Sequence, residues 1–301
     1  MRCLVALSCV VLLLVSGCGF RATAGPGAKG QLPFGGVTRT YELHVPAGVA
    51  HPTGLVVNLH GSGGTGAGQE ALTHYDAVAD AHGFVVVYPD GVERSWADGR
   101  GASPADRRGV DDVGFLTTLV ASLVREYGID PGHVFAVGFS NGAFMVDRLA
   151  CERPDVFAAI APVSGTLGAG VGCTPSRPVS VIETHGTADP IVPFNGGPMT
   201  GRGGRSVIVS ALAMSQRWRQ INGCRDEPAA SVLPGADGLD VRRSEVEQCA
   251  GGSGVVFMQV DGGGHTWPGG SQYLPKALIG PTTRAFDESE TSWQFFAGHA
   301  R

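Results

Sequence analysis

The stretch that most constrains this chain is Val134–Gly142, Val-Phe-Ala-Val-Gly-Phe-Ser-Asn-Gly. A short apolar run ends in Gly138-Phe139-Ser140-Asn141-Gly142, and residues 143–150 continue with a helical pattern. The reading is strand, sharp turn, helix, with a serine at the turn. Glycine on either side of Ser140 lets backbone pass where a side chain would collide, and the serine itself takes a strained conformation. Such a turn holds the hydroxyl at the carboxyl end of a sheet. It also aims the backbone N–H of Asn141 at the same space, as one donor for an oxyanion. The five letters arise by chance in a chain with 47 glycines among 301 residues, so the argument rests on what flanks them.

The chain begins with a minimal basic region at Arg2, followed by an almost wholly apolar run from Leu4 to Val15. About a dozen residues is too short for a comfortable membrane span. The run ends Val15-Ser16-Gly17-Cys18, which resembles the lipobox of bacterial lipoprotein signals. In those signals the cysteine is acylated and becomes the new N-terminus. Residues 1–17 are therefore expected to be a signal peptide, and Cys18 the site of a lipid anchor facing out of the cell. An ordinary secretory signal is the alternative, and both imply export. Residues 18–36, rich in Gly, Ala and Pro, read as the anchor and a flexible tether, with one domain over 37–301. A net charge of −5 without a basic run argues against a nucleic acid partner. The sequence does not indicate an oligomeric state.

The body carries Cys151, Cys173, Cys224 and Cys249. Export makes disulfides the expectation, and four cysteines allow three pairings. The sequential pairing, Cys151–Cys173 and Cys224–Cys249, is preferred because each closes a short loop. Neither a C-x-x-C pair nor a paired-histidine spacing is present, so no metal site is expected.

Strand and helix patterns alternate. Residues 41–45 alternate in polarity, as a half-buried edge strand does. Residues 54–59, 84–88, 134–139, 158–163, 179–184 and 255–260 read as buried strands. Helical patterns cover 71–82, 111–127, 207–221 and 285–296. Repeated βα units with apolar strands predict an α/β fold, a mainly parallel central sheet with helices on both faces.

In such a sheet, sites form beyond the carboxyl ends of strands. Past 54–59 lies His60-Gly61-Ser62-Gly63-Gly64, a loop with free N–H groups, of which that of Ser62 is the candidate second oxyanion donor. The loop lacks the G-K-[ST] and G-x-G-x-x-G patterns of nucleotide binding. Past 179–184 lies Asp189, placed to orient an imidazole. Past 255–260 lies His265, preceded by three glycines that let its loop bend back. The order Ser140, Asp189, His265, each after a different strand, is the one an α/β-hydrolase arrangement requires.

These residues carry a resemblance. Leu59-His60-Gly61, Tyr88-Pro89-Asp90-Gly91, Asp111-Asp112-Val113-Gly114-Phe115, the Ser140 turn, His185-Gly186-Thr187-Ala188-Asp189 and Gly264-His265-Thr266-Trp267-Pro268-Gly269 resemble the secreted esterase family of polyhydroxybutyrate depolymerases, feruloyl esterases and acetylxylan esterases, within the α/β-hydrolase superfamily. The chain is similar in particular to actinobacterial esterase lipoproteins grouped with them. The resemblance implies a serine carboxylesterase acting on short-chain or polymer-linked esters through a Ser-His-Asp triad, without metal or organic cofactor. It also implies Trp267 as a wall of the substrate cleft. Trp96, Tyr273 and His60 are further candidates for that lining, although a ring before a turn glycine, as at His60, most often makes structural hydrogen bonds. Asn141-Gly142-Ala143 departs from the family pattern of a small residue followed by Gly-Gly, which bears on how the next helix starts. An acyltransferase with the same triad and an inactive membrane-tethered binding protein are the alternatives.

Overall fold

The computed structural model describes residues 28–301. The expected signal peptide and Cys18 lie outside the described residues. The elements in chain order are β1 (Ala28–Phe34), β2 (Val37–His44), β3 (Leu55–Leu59), α1 (Gly66–Thr73), α2 (Tyr75–His82), β4 (Val85–Pro89), α3 (Pro104–Arg107), α4 (Asp112–Tyr127), β5 (Val134–Phe139), α5 (Asn141–Glu152), β6 (Ala159–Val163) and β7 (Ser180–Gly186). Then follow β8 (Gly197–Gly201), β9 (Gly204–Ile208), α6 (Ala211–Ile221), β10 (Ala229–Leu233), β11 (Val241–Val246), β12 (Val255–Val260), α7 (Lys276–Ile279) and α8 (Glu288–Gly298).

One sheet runs β1-β2-β4-β3-β5-β6-β7-β12-β11-β10, and β8-β9 is a separate hairpin. The centre, from β4 to β12, is parallel, and both flanks are antiparallel. The central strands are buried on both faces, which is why they read as unbroken apolar runs. Alternate residues of one strand serve opposite sides. Leu55, Val57 and Leu59 pack into one core with α4, α5 and α6, while Val56 packs into the other with α2 and α8. Each fully buried leucine in the first, such as Leu149, is worth about 2–5 kcal/mol against truncation to alanine.

The ends of α4 are set locally. Asp111 accepts from the Gly114 N–H, and Gly128 closes the helix in the left-handed region at φ 64°. Cys151–Cys173 and Cys224–Cys249 are the disulfides formed, the sequential pairing. Loops of this length contribute about 3 kcal/mol each in the chain-entropy account.

The structure corrects four expectations. The tether reading extends too far, because residues 28–34 form β1, paired along its whole length with β2. As a result β2 is not an edge strand but lies between β1 and β4. The helix expected over 71–82 divides at His74, whose φ of 52° ends α1 and starts α2. The pattern over 207–221 also divides: its first residues finish β9, and helix begins only after Ser210 caps α6.

Candidate active site

Strand β5 delivers Ser140 into a turn that only a surrounding fold can hold. Its φ is 56° and ψ −117°, outside the regions where a residue with a β-carbon rests comfortably. Two hydrogen bonds fix it: its N–H donates to the Val163 carbonyl at 2.9 Å, and its own carbonyl accepts from the Phe144 N–H at 3.1 Å. The flanking glycines are required by space. A β-carbon on Gly142 would lie 2.2 Å from the Leu59 carbonyl oxygen, and one on Gly138 would lie 2.5 Å from backbone of Gly142. Gly165, which the sequence did not single out, is equally confined, 2.8 Å from the Ser140 carbonyl oxygen by the same measure.

Helix α5 starts at Asn141, so its first N–H groups have no partner within the helix and its positive end faces the turn. The Asn141 side chain is committed elsewhere. Its amide oxygen accepts from the Trp96 N–H at 2.8 Å, and its NH₂ donates to the Trp96 carbonyl at 3.1 Å and to Asp98 Oδ2 at 2.6 Å. This is the physical role of the departure from the family pattern: the asparagine ties the helix start to the 96–98 loop. Asp98 in turn pairs with Arg100, whose guanidinium stacks 3.5 Å from the Phe144 ring centroid. Nothing in the spacing of these residues marks them as partners.

The His60–Gly64 loop lies against Ser140. A β-carbon on Gly61 would be 3.3 Å from Ser140 Cβ. Within the loop, the N–H groups of Gly63 and Gly64 donate to the carbonyls of Arg94 and Gly61. Those of Gly61 and Ser62 find no acceptor among the described residues. His60 borders the cavity, but both ring nitrogens are occupied: Nδ1 donates to the Gly61 carbonyl at 2.8 Å and Nε2 accepts from the Gly91 N–H at 3.0 Å. Burial pushes the imidazole down to about 4, so it stays neutral. His60 is thus a brace for the loop.

The expected linings from Trp96 and Trp267 are not found. Trp96 is fully buried and its indole donates to the His60 carbonyl at 2.8 Å. Trp267 is 1% exposed, packs in the α2/α8 core and donates to Ser289 Oγ at 3.1 Å. Each satisfies its indole N–H in the interior, as a buried tryptophan must. Tyr273 does border the cavity, and its hydroxyl donates to the His265 carbonyl at 3.0 Å.

Asp189 lies just past β7. One carboxylate oxygen accepts from the N–H groups of Ile191 and Val192, both at 2.8 Å, and the other is 2.8 Å from His265 Nδ1. Burial alone would raise this carboxyl, but the charge and hydrogen bond of His265, with the backbone donors, hold it below the ordinary range. A carboxylate there fixes the proton of His265 on Nδ1 and leaves Nε2 as the free, basic nitrogen. His185, 3.6 Å from the same carboxylate, is a different case. It is fully buried, donates Nε2–H to the Val192 carbonyl at 3.0 Å, and is lowered by that burial. The His265 loop folds back because Gly264 admits no side chain: a β-carbon there would lie 2.1 Å from the Ile279 carbonyl oxygen. The His265 N–H then donates to that carbonyl at 2.6 Å.

Ser140, Asn141, Ser62 and His265 border one cavity of about 650 Å³, with Phe139 and Tyr273 beside the imidazole. That volume suits a small organic ligand or the end of a longer one. A hydroxyl on a strained turn, an oriented imidazole and unpaired N–H groups around one space are what acyl transfer needs.

Comparison with known proteins places the chain in a family. Residues 39–195 match the family described as "Esterase PHB depolymerase". The chain is 34% identical over 285 residues to "Putative esterase NocK" of Nocardia uniformis subsp. tsuyamanensis, covering 89% of this chain and 82% of that protein. It is 28% identical to feruloyl esterase C of Emericella nidulans over 233 residues, covering 75% of this chain and 76% of that one. Among solved structures, an acetyl xylan esterase from Aspergillus awamori superposes with a TM-score of 0.60, covering 90% of this chain and 100% of that one, at 18% identity. The last likeness is one of fold. Together with the matched region, which spans more than half of the chain, these similarities assign it: the protein is an enzyme of the esterase PHB depolymerase family.

Proposed function

We propose that this chain is an exported serine carboxylesterase in which Ser140 is the nucleophile, His265 the general base and acid, and Asp189 the residue that orients and charges the imidazole. The observation that carries the reading is the 2.8 Å Asp189–His265 hydrogen bond at the cavity that the strained Ser140 also borders. His265 Nε2 takes the Ser140 proton as Oγ attacks the ester carbonyl. The oxyanion is held by the N–H groups of Asn141 and Ser62, each such donor contributing about 3 kcal/mol to the transition state. His265 then gives its proton to the leaving alcohol. Water, deprotonated by the same imidazole, cleaves the acyl-enzyme and restores Ser140.

The substrates are short-chain or polymer-linked esters of the hydroxybutyrate, feruloyl or acetyl type, the classes named for the relatives. Export and a lipid anchor on Cys18 follow from the apolar run and Val15-Ser16-Gly17-Cys18. The two disulfides fit an oxidising compartment.

The test is hydrolysis of p-nitrophenyl esters, acetate to palmitate, by the wild type and Ser140→Ala. The reading predicts cleavage of the short esters by the wild type and a rate at least about 10⁴-fold lower in the variant. Equal inactivity of two folded proteins would contradict it.

A further inference from the structure

The two N–H groups assigned to the oxyanion come from separate parts of the chain. That of Asn141 opens α5, and that of Ser62 lies in the His60–Gly64 loop; neither finds an acceptor among the described residues. Free donors stabilise a developing charge well only if their spacing is set before the reaction. A glycine-rich loop and the first turn of a helix are each weakly determined by their own sequence. Something outside them must fix one against the other.

Trp96 is bonded to both. Its backbone N–H donates to the Asn141 amide oxygen at 2.8 Å, and its carbonyl accepts from the Asn141 NH₂ at 3.1 Å. Its indole N–H donates to the His60 carbonyl at 2.8 Å, and its ring lies 4.8 Å from the His60 imidazole, centroid to centroid. His60 carries the constraint one residue further, because its Nδ1 donates to the Gly61 carbonyl beside Ser62. One residue therefore grips the start of α5 with its main chain and the Ser62 loop with its side chain.

The grip is anchored in the body of the fold. The Ala97 N–H donates to Asp112 Oδ2 at 2.8 Å, and the Ala97 carbonyl accepts from Arg148 Nη1 at 2.6 Å, so α4 and α5 both hold the segment. Asp98, fully buried, accepts from the Asn141 NH₂ at 2.6 Å and is itself held by Arg100 Nε and Nη2 at 3.0 and 2.6 Å. These bonds leave the Asn141 amide one orientation, its oxygen towards a donor and its NH₂ towards two acceptors. A side chain without an amide at position 141 would make none of them.

Resting on the esterase reading above, we propose that Trp96, locked through Asn141 and Asp98, is a positioning residue that sets the spacing of the two oxyanion donors. Its side chain is fully buried, so it acts through Asn141 and Ser62 and not on the ester itself. A shift of either donor lengthens a hydrogen bond that is strongest in the transition state. The cost then falls on the tetrahedral intermediate and not on the fit of the ester.

Two variants test this. Trp96→Phe removes the indole N–H and keeps an aromatic ring. Asn141→Ala removes the amide and keeps the backbone N–H. The readouts are kcat/KM for p-nitrophenyl butyrate, per active site titrated with a fluorophosphonate, and Ki for 1,1,1-trifluoro-2-octanone. Ser140 Oγ adds to the carbonyl carbon of that ketone, its proton passes to His265, and the carbonyl oxygen becomes the oxyanion. 2-Octanone, which adds far less readily, reports the ground-state fit. In each variant kcat/KM is expected to fall about tenfold and Ki for the trifluoromethyl ketone to rise by the same factor, less than the roughly 10²–10³ of losing a donor outright. Ki for 2-octanone should change by less than about twofold. Ki does not depend on the active fraction, so loss of stability alone does not produce this pattern. If one variant fails to fold, the other carries the test. The proposal is overturned if the trifluoromethyl ketone binds a folded variant as tightly as the wild type, or if both ketones weaken equally. A folded wild type that neither cleaves the ester nor binds the trifluoromethyl ketone would sink the esterase reading itself.

Discussion

Glu183 and Asp189 lie on one short stretch of chain, the first within β7 and the second just past its end, and both are buried. Their surroundings push them in opposite directions. Asp189 is met by two backbone N–H groups and an imidazole, and sits below the ordinary carboxylate range. Glu183 has neither oxygen hydrogen-bonded, and burial, with the nearby Asp147, drives it well above that range. Asp147, buried on α5, receives one hydrogen bond from the Trp218 indole, and burial still pushes it up to about 8. Burial alone pushes a carboxyl up; what holds Asp189 down is first the His265 imidazole and then the N–H groups that the loop beyond the strand turns inward. The sheet interior has no such donors to offer. The charge that the proposed chemistry needs is therefore confined to the end of the sheet where loops supply them.

The largest expected effect comes from removing that charge. Asp189→Asn keeps the shape but presents an NH₂ where His265 Nδ1 now finds an acceptor. The imidazole should take the wrong tautomer, and kcat should fall about 10⁴-fold. Steady-state kinetics on a short ester checks this, with circular dichroism to show an intact fold. A loss of less than about tenfold would break the comparison, since Asp189 would then matter no more than an ordinary buried carboxyl.

A smaller effect is expected at Glu183, on stability. In the folded chain burial lets this carboxyl hold its proton to higher pH than in the unfolded chain, where it ionises near its ordinary value. Between those two values the folded state binds more protons, so stability falls as pH rises through and above the ordinary range. Glu183→Gln removes this contribution. Urea unfolding at pH 5 and pH 8 should show a smaller loss between the two for the variant than for the wild type. An unchanged loss would mean that Glu183 is ionised in the native state. The buried, lowered His185 acts in the opposite sense, favouring the folded state less as pH falls below its ordinary value, and because it is present in both proteins its contribution cancels when their losses are compared.

The same division marks what could be read from the sequence. The central strands, the glycines beside Ser140, and the positions of Asp189 and His265 were legible because each follows from an apolar run and the loop that ends it. The disulfide pairing was legible from loop length. The hairpin β8-β9 was not, because its short strands are half-exposed and glycine-rich, with no apolar period to announce them. Strand β10 was missed for the same reason, being exposed along its length. Trp96 and Trp267 were read as cleft walls because a sequence shows an aromatic residue but not where its N–H will find an acceptor. Here both find one inside. The Asn141–Asp98–Arg100 cluster joins residues distant in the chain through side-chain geometry alone. The sequence of the first strand reads as tether because it continues a stretch rich in glycine, alanine and proline, and only the ladder with β2 gives residues 28–34 their conformation.

The most direct test of the account is covalent labelling of the folded protein with a fluorophosphonate, followed by peptide mass mapping. The account predicts one adduct, on Ser140, formed quickly in the wild type, slowly in Asp189→Asn and not at all in Ser140→Ala. A folded wild type that takes no label, or takes it on another serine, would contradict the assignment of Ser140 as the nucleophile.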